Sequence, residues 1–137
     1  MTAFPAAPAT GRAAERLTRL NKSGLVLALL LGLADVGAVF NPTPDGEVGP
    51  PMAILVLDSV LGLVTVAGVG YALARRSRGA VRIVAAARVV SAVTALPAFF
   101  VGVPAWLEAM VGVFVLLTVA SVVMMLAPAR RTDRIVD

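Results

Sequence analysis

The sequence predicts an all-α membrane protein whose fold is a bundle of four transmembrane helices. Of the 137 residues, 59% are hydrophobic and only 15% are charged, and the mean hydropathy is +0.93. A soluble domain of this size is about 45–50% apolar, so the excess apolar surface is expected to face lipid. Four long apolar stretches contain this excess. Backbone groups in lipid are satisfied only within helices or closed barrels, and four spans are too few to close a barrel.

Each apolar stretch is long enough to cross a bilayer core of about 30 Å, which needs roughly 20 residues, although the first is only just so. The predicted spans comprise residues 24–40, 51–74, 79–100 and 105–127. They belong to one transmembrane domain, 12–128, between a disordered N-terminal tail, 1–11, and a basic tail, 129–137. Residues 12–20 are interpreted either as a short interfacial helix or as a solvated extension of the first span.

The distribution of basic residues predicts the orientation of these spans. One cluster precedes the first span, one separates the second from the third, and one follows the fourth. The clusters are Arg12, Arg16, Arg19 and Lys22; Arg75, Arg76, Arg78 and Arg82; and Arg130, Arg131 and Arg134. The loops 41–50 and 101–104 contain no Lys or Arg. The positive-inside rule therefore predicts that both termini and the central loop are cytoplasmic.

Composition and charge also suggest the membrane and one class of partner. The abundance of Arg, Ala, Val, Gly and Pro is typical of a high-GC bacterium, which predicts a multi-pass protein of the plasma membrane. A basic rim at the cytoplasmic surface attracts anionic lipid headgroups by about 1 kcal/mol per residue. We therefore expect membrane lipids as partners and, because the net charge of +4 lies at this rim, no nucleic acid.

Charged residues within the spans are the candidate site. Asp35, Asp58 and Arg88 are each several ångströms inside the membrane, where an ionised group costs a few kcal/mol and needs a partner. Counting 1.5 Å per residue places Asp58 about 10 Å from the outer boundary. This depth makes Asp58 the preferred partner of Arg88, with Asp35 as second choice. The cluster is interpreted either as a structural clamp or as a proton- or substrate-coupled site.

Small polar and glycine residues complete the predicted interior. Hydroxyl groups within reach of the charged cluster are those of Ser59, Ser91 and Thr94. Close helix contacts in membranes use small residues, and the candidates are Gly24, Ala28 and Gly32, at intervals of four in the first span, and Gly62 in the second. We interpret this stripe mainly as the interior of the bundle itself, with a dimer face as the alternative.

The sequence also contains a candidate internal repeat. An ungapped shift of 53 residues aligns 27–74 with 80–127, with 14 identities in 48 positions. Chance in so biased an alphabet gives roughly five identities, so the excess suggests a duplicated helical hairpin. The alternative is two similar Val- and Ala-rich hairpins without common origin. A duplicated two-span unit would place both halves in the same orientation, related by an axis along the membrane normal.

Three phrases of the sequence, LLGLADV, VLGLVTVAGVGYA and TALPAFF, resemble small uncharacterised four-helix integral membrane proteins of actinobacteria. With the pattern of spans, this resemblance covers most of residues 25–127. The chain is also distantly similar in size and number of spans to the DoxX-like family. The resemblance implies a four-helix membrane fold and no particular activity.

The residue types present exclude most catalytic chemistry. The chain has neither Cys nor His, so it lacks the usual nucleophile–base pairs and the commonest metal and haem ligands. We expect no enzyme activity, no metal and no cofactor. The prediction is a structural, accessory or oligomeric subunit whose partner is itself or another membrane protein. The alternative is a small transporter or channel that uses the intramembrane Asp/Arg cluster.

Overall fold

The computed structural model describes residues 17–41 and 43–128, and these form a four-helix bundle. The helices are α1 (Arg19–Ala38), α2 (Met52–Arg75), α3 (Arg78–Ala95) and α4 (Ala105–Leu126), with a 3₁₀ turn at Leu96–Phe99. All four are long and apolar enough to cross a membrane, and the described residues contain no strand. The predicted fold class is confirmed. The predicted tails, 1–11 and 129–137, are outside the described residues.

The helices form a closed ring in chain order. Each helix packs beside the next, and α4 returns to pack against α1. Across the middle of the ring α1 touches α3, whereas α2 and α4 make no contact in the described part of the chain. The diagonal pair α1 and α3 therefore lies closest to the bundle axis.

Local sequence determines where the helices begin and end. The first helix starts at Arg19, before the apolar stretch begins at Gly24, because Thr18 and Asn21 form a capping box. The Thr18 hydroxyl accepts the Asn21 N–H at 3.1 Å, and the Asn21 side chain accepts the Thr18 N–H at 3.0 Å. At the other side of the membrane, α3 gives way to the 3₁₀ turn at Pro97, which has no N–H for a helical hydrogen bond.

Glycine allows α1 and α2 to pack at short distance. A Cβ atom added to Gly62 would lie 2.6 Å from the carbonyl oxygen of Gly32, and one added to Gly32 would lie 3.0 Å from Thr65. Gly24 has the same role between α1 and α4, because its Cβ would lie 2.7 Å from the Met125 nitrogen. These backbones can approach only because no side chain intervenes.

The burial pattern agrees with a duplicated hairpin. Four consecutive buried positions of α1 recur on α3 after 53 residues. They are Ala28, Leu31, Gly32 and Asp35 on α1, and Val81, Val84, Ala85 and Arg88 on α3. The second helix of each half also starts in the same way, since Pro51 and Pro104 are the N-caps of α2 and α4. Equivalent helices therefore present equivalent faces to the interior.

The two halves differ where glycine is replaced. Gly32 and Gly62 correspond to Ala85 and Val115 under the 53-residue shift. The α3–α4 pair packs less closely than α1–α2, and an apolar groove of about 280 Å³ lies between α3 and α4, lined mainly by valines, including Val115.

Candidate functional site

A buried ion pair joins the two central helices. The Arg88 Nη1 group on α3 donates to Asp35 Oδ2 on α1. Arg88 is 0% exposed and Asp35 is 7% exposed, so the pair is enclosed by the bundle. Two opposite charges that neutralise each other inside the protein avoid the cost of a lone charge in the membrane.

Neighbouring side chains hold both partners of the ion pair. The second terminal nitrogen of Arg88 donates to the Thr118 hydroxyl at 3.1 Å, and the Ser91 hydroxyl donates to Asp35 Oδ2 at 3.2 Å. The Arg88 guanidinium also lies over the ring of Phe114, with its Cζ 5.9 Å from the ring centroid, a cation–π geometry. Within the described residues the Arg88 Nε–H has no acceptor, and the two terminal nitrogens make the side-chain hydrogen bonds of Arg88.

Asp58 lies on the side of this pair away from the basic end of the bundle and has a different partner. The Thr94 hydroxyl is 2.9 Å from Asp58 Oδ1 and 2.8 Å from the backbone oxygen of Ser91, and its single proton serves one acceptor at a time. Ser59 donates to the backbone oxygen of Asp35 at 3.3 Å. The structure thus brings all the predicted polar residues into one region, with Asp58 half-buried at its outer edge.

The preferred pairing of Arg88 with Asp58 is wrong, because Arg88 pairs with Asp35. Heights counted along single helices from opposite boundaries do not include the shift of one helix relative to the other. Asp58 lies at the level of Thr94, which is six residues, or about 9 Å, further along α3 than Arg88. The internal repeat was the better guide, since Asp35 and Arg88 occupy equivalent positions 53 residues apart.

The polar region is closed on its basic side by apolar packing. Leucine, valine, alanine and methionine side chains from all four helices fill the space between the ion pair and the basic end of the bundle. This core includes Leu25, Ala28, Val69, Ala72, Val81, Val84, Ala85 and Met125. In the described residues, polar groups lead from the end opposite the bases to Arg88. Beyond Arg88, the buried side chains of Ser121 and Asn21 bond to backbone oxygens within this packing.

Sequence reasoning missed several buried polar residues in the basic half. Asn21 is fully buried, and its amide donates to the backbone oxygens of Met124, Met125 and Ala127 at 2.8–3.0 Å. It thereby satisfies the C-terminal carbonyls of α4. Its spacing from Thr18, a capping-box pattern, was the available signal. Ser121 donates to the Gly24 oxygen at 2.8 Å and joins α4 to α1.

The four predicted packing residues all lie between helices of the same chain. Gly32 and Gly62 face each other between α1 and α2, Gly24 faces α4, and Ala28 is 0% exposed. These positions therefore form the bundle's own interior, and the dimer-face alternative does not apply to them.

Fold and site together define a multi-pass membrane protein: a four-helix bundle crossed at its centre by a buried Asp–Arg pair. Comparison with protein-family models, with curated proteins and with solved structures found no match.

Proposed function

We propose that this chain is a non-enzymatic integral membrane subunit, acting as a structural or accessory component in an oligomer or beside another membrane protein. The observation that supports it is the internal use of the polar groups. Arg88, Asp35, Ser91 and Thr118 bond to one another, and each is buried. Such a network stabilises one packing of the helices and offers little charge to a substrate.

A small transporter or channel is the second candidate, and one observation favours it. Asp58, Thr94, Ser91 and Asp35 form a continuous polar row from the outer end towards the centre. A pathway would have to continue to the basic end, where the space is filled by the apolar core. Transport would therefore require that core to open. A structural subunit requires no such motion.

Reconstitution separates the two functions. We expect vesicles containing the purified chain to show no more proton flux, under an imposed potential and pH gradient, than vesicles without protein, because the apolar core interrupts the polar row. Asp58→Asn is the matched variant, since Asp58 bonds to Thr94 and not to Arg88. It should behave like the parent chain. Dye-reported internal pH is the measurement.

The mass of the purified protein in detergent tests whether the chain is part of an oligomer. A single chain has a mass of 14.0 kDa, and in mild detergent we expect a complex larger than this after subtraction of bound detergent and lipid. A chain that remains a monomer and shows flux abolished by Asp58→Asn would contradict the proposal and establish the transporter.

We further propose that the chain lies in the plasma membrane with both termini and the α2–α3 connection in the cytoplasm. The chain has no Cys, so single introduced cysteines report their own positions. Asp45→Cys should react with an impermeant thiol reagent in intact cells, whereas Gly79→Cys should react only after lysis. Position 79 is used because Gly79 is exposed. Ser77, two residues earlier, is left unchanged because its side chain caps α3. Reaction at 79 and not at 45 would reverse the orientation.

A further inference from the structure

A groove opens between the first turn of α1 and the last turn of α2. The described residues that line it are Leu17, Lys22, Leu73 and Arg76, and its volume is about 490 Å³. Each helix contributes one cation, and a leucine accompanies it. The groove therefore combines two positive charges with apolar walls, in a position where the apolar helices end.

The charged residues that the structure describes around this groove are all basic. Every described base except Arg88 lies at this end of the bundle: Arg19, Lys22, Arg75, Arg76, Arg78 and Arg82. The described acids, Asp35, Asp45, Glu47, Asp58 and Glu108, lie in or beyond the opposite half. Among the described residues, no carboxylate competes with an external anion for Lys22 or Arg76. A phosphate group placed here would find cations from two helices.

Arg76 occupies a backbone position that glycine usually takes. It ends α2 with φ 51° and ψ 38°, in the left-handed region, and it is the one non-glycine residue there in the described chain. Helices commonly end in this conformation with Gly, because a Cβ atom is unfavourable there. An arginine at this position gives the turn no conformational advantage, but its exposed side chain lines the groove.

We propose that this groove binds the phosphate headgroup of an anionic phospholipid of the surrounding bilayer. Lys22 and Arg76 contact the phosphate, while the exposed Leu73 packs against the glycerol and the first methylenes of the acyl chains. Leu17 lines the groove as part of the buried core. Basic residues near the membrane surface attract anionic lipids wherever they lie. The groove adds a defined binding place and a defined number of bound lipids to that general attraction. This lipid site is independent of the subunit role proposed above.

Native mass spectrometry of the full chain in mild detergent tests this site. With equal amounts of phosphatidylglycerol and phosphatidylcholine present, we expect one phosphatidylglycerol molecule to be retained preferentially. Arg76→Gly should weaken its binding about fivefold, the effect of losing one phosphate contact near the surface. Glycine suits the left-handed position, so Arg76→Gly should melt at the same temperature as the parent or higher. Arg76→Lys should largely retain binding.

Arg82→Gln is the matched control, because it also removes one exposed base from the same end but does not line the groove. It should weaken phosphatidylglycerol binding far less than Arg76→Gly does, because it removes only part of the general attraction. Equal losses in Arg82→Gln and Arg76→Gly would overturn the site in favour of diffuse attraction. Equal retention of the two lipids would overturn it as well. Displacement of phosphatidylglycerol by millimolar inorganic phosphate would show a site for free anions and would overturn the lipid assignment.

Discussion

Asp35→Leu is expected to destabilise the bundle by about 3–5 kcal/mol, because it leaves the Arg88 guanidinium buried without its counter-charge. Arg88→Met should be destabilising but milder, since the remaining carboxyl group of Asp35 can take up a proton. Unfolding of the purified chain in mixed detergent micelles, followed by circular dichroism, provides the free energies.

The double variant Asp35→Leu, Arg88→Met isolates the interaction of the two residues. It should recover most of the stability lost in Asp35→Leu, because an apolar pair of similar volume carries no desolvation cost. Asp58→Leu with Arg88→Met is the control, and it should show no such recovery, as Asp58 bonds to Thr94. Absence of coupling between positions 35 and 88, or equal coupling between 58 and 88, would contradict the assigned pairing.

The general architecture could be predicted because the bilayer imposes strong constraints on sequence. Helix number follows from the length of the apolar stretches, and orientation is predicted from the loops that contain bases. The ends of the helices are harder to predict from the sequence. Thr18 and Asn21 extend α1 beyond its apolar stretch through specific hydrogen bonds, which a count of apolar residues does not include.

To predict the partner of Arg88, one must know how far each helix is shifted along the bundle axis relative to the others. These shifts are determined by close contacts such as Gly32 against Gly62, whose geometry is absent from a count of residues along single spans. The repeat contained this information, because equivalent helices of two similarly oriented hairpins lie at similar depth. Asp35 and Arg88 are equivalent positions on such helices, and they meet where α1 and α3 approach the bundle axis.

A groove lies between α3 and α4, where the second hairpin has larger residues in place of the glycines of the first. Val115 occupies the position equivalent to Gly62, and the second hairpin packs less closely than the first. The α1–α2 pair is therefore the more closely packed half of the bundle. Since Asp35 belongs to α1, this close packing also determines where the carboxylate can be presented to Arg88.

Gly62→Leu is accordingly expected to destabilise the bundle by about 1–3 kcal/mol or more, because overpacking a close contact displaces backbone. A Cβ atom at position 62 would lie 2.6 Å from the Gly32 oxygen and 3.0 Å from the Asp35 Cβ, so α1 would have to move. Gly70→Leu on the same helix is the matched control, since a Cβ there meets nothing within 4 Å. Leucine favours helix over glycine by up to about 1 kcal/mol, so this control should be neutral or stabilising. Equal unfolding free energies for the two variants in detergent would show that α1 and α2 do not depend on the Gly32–Gly62 contact.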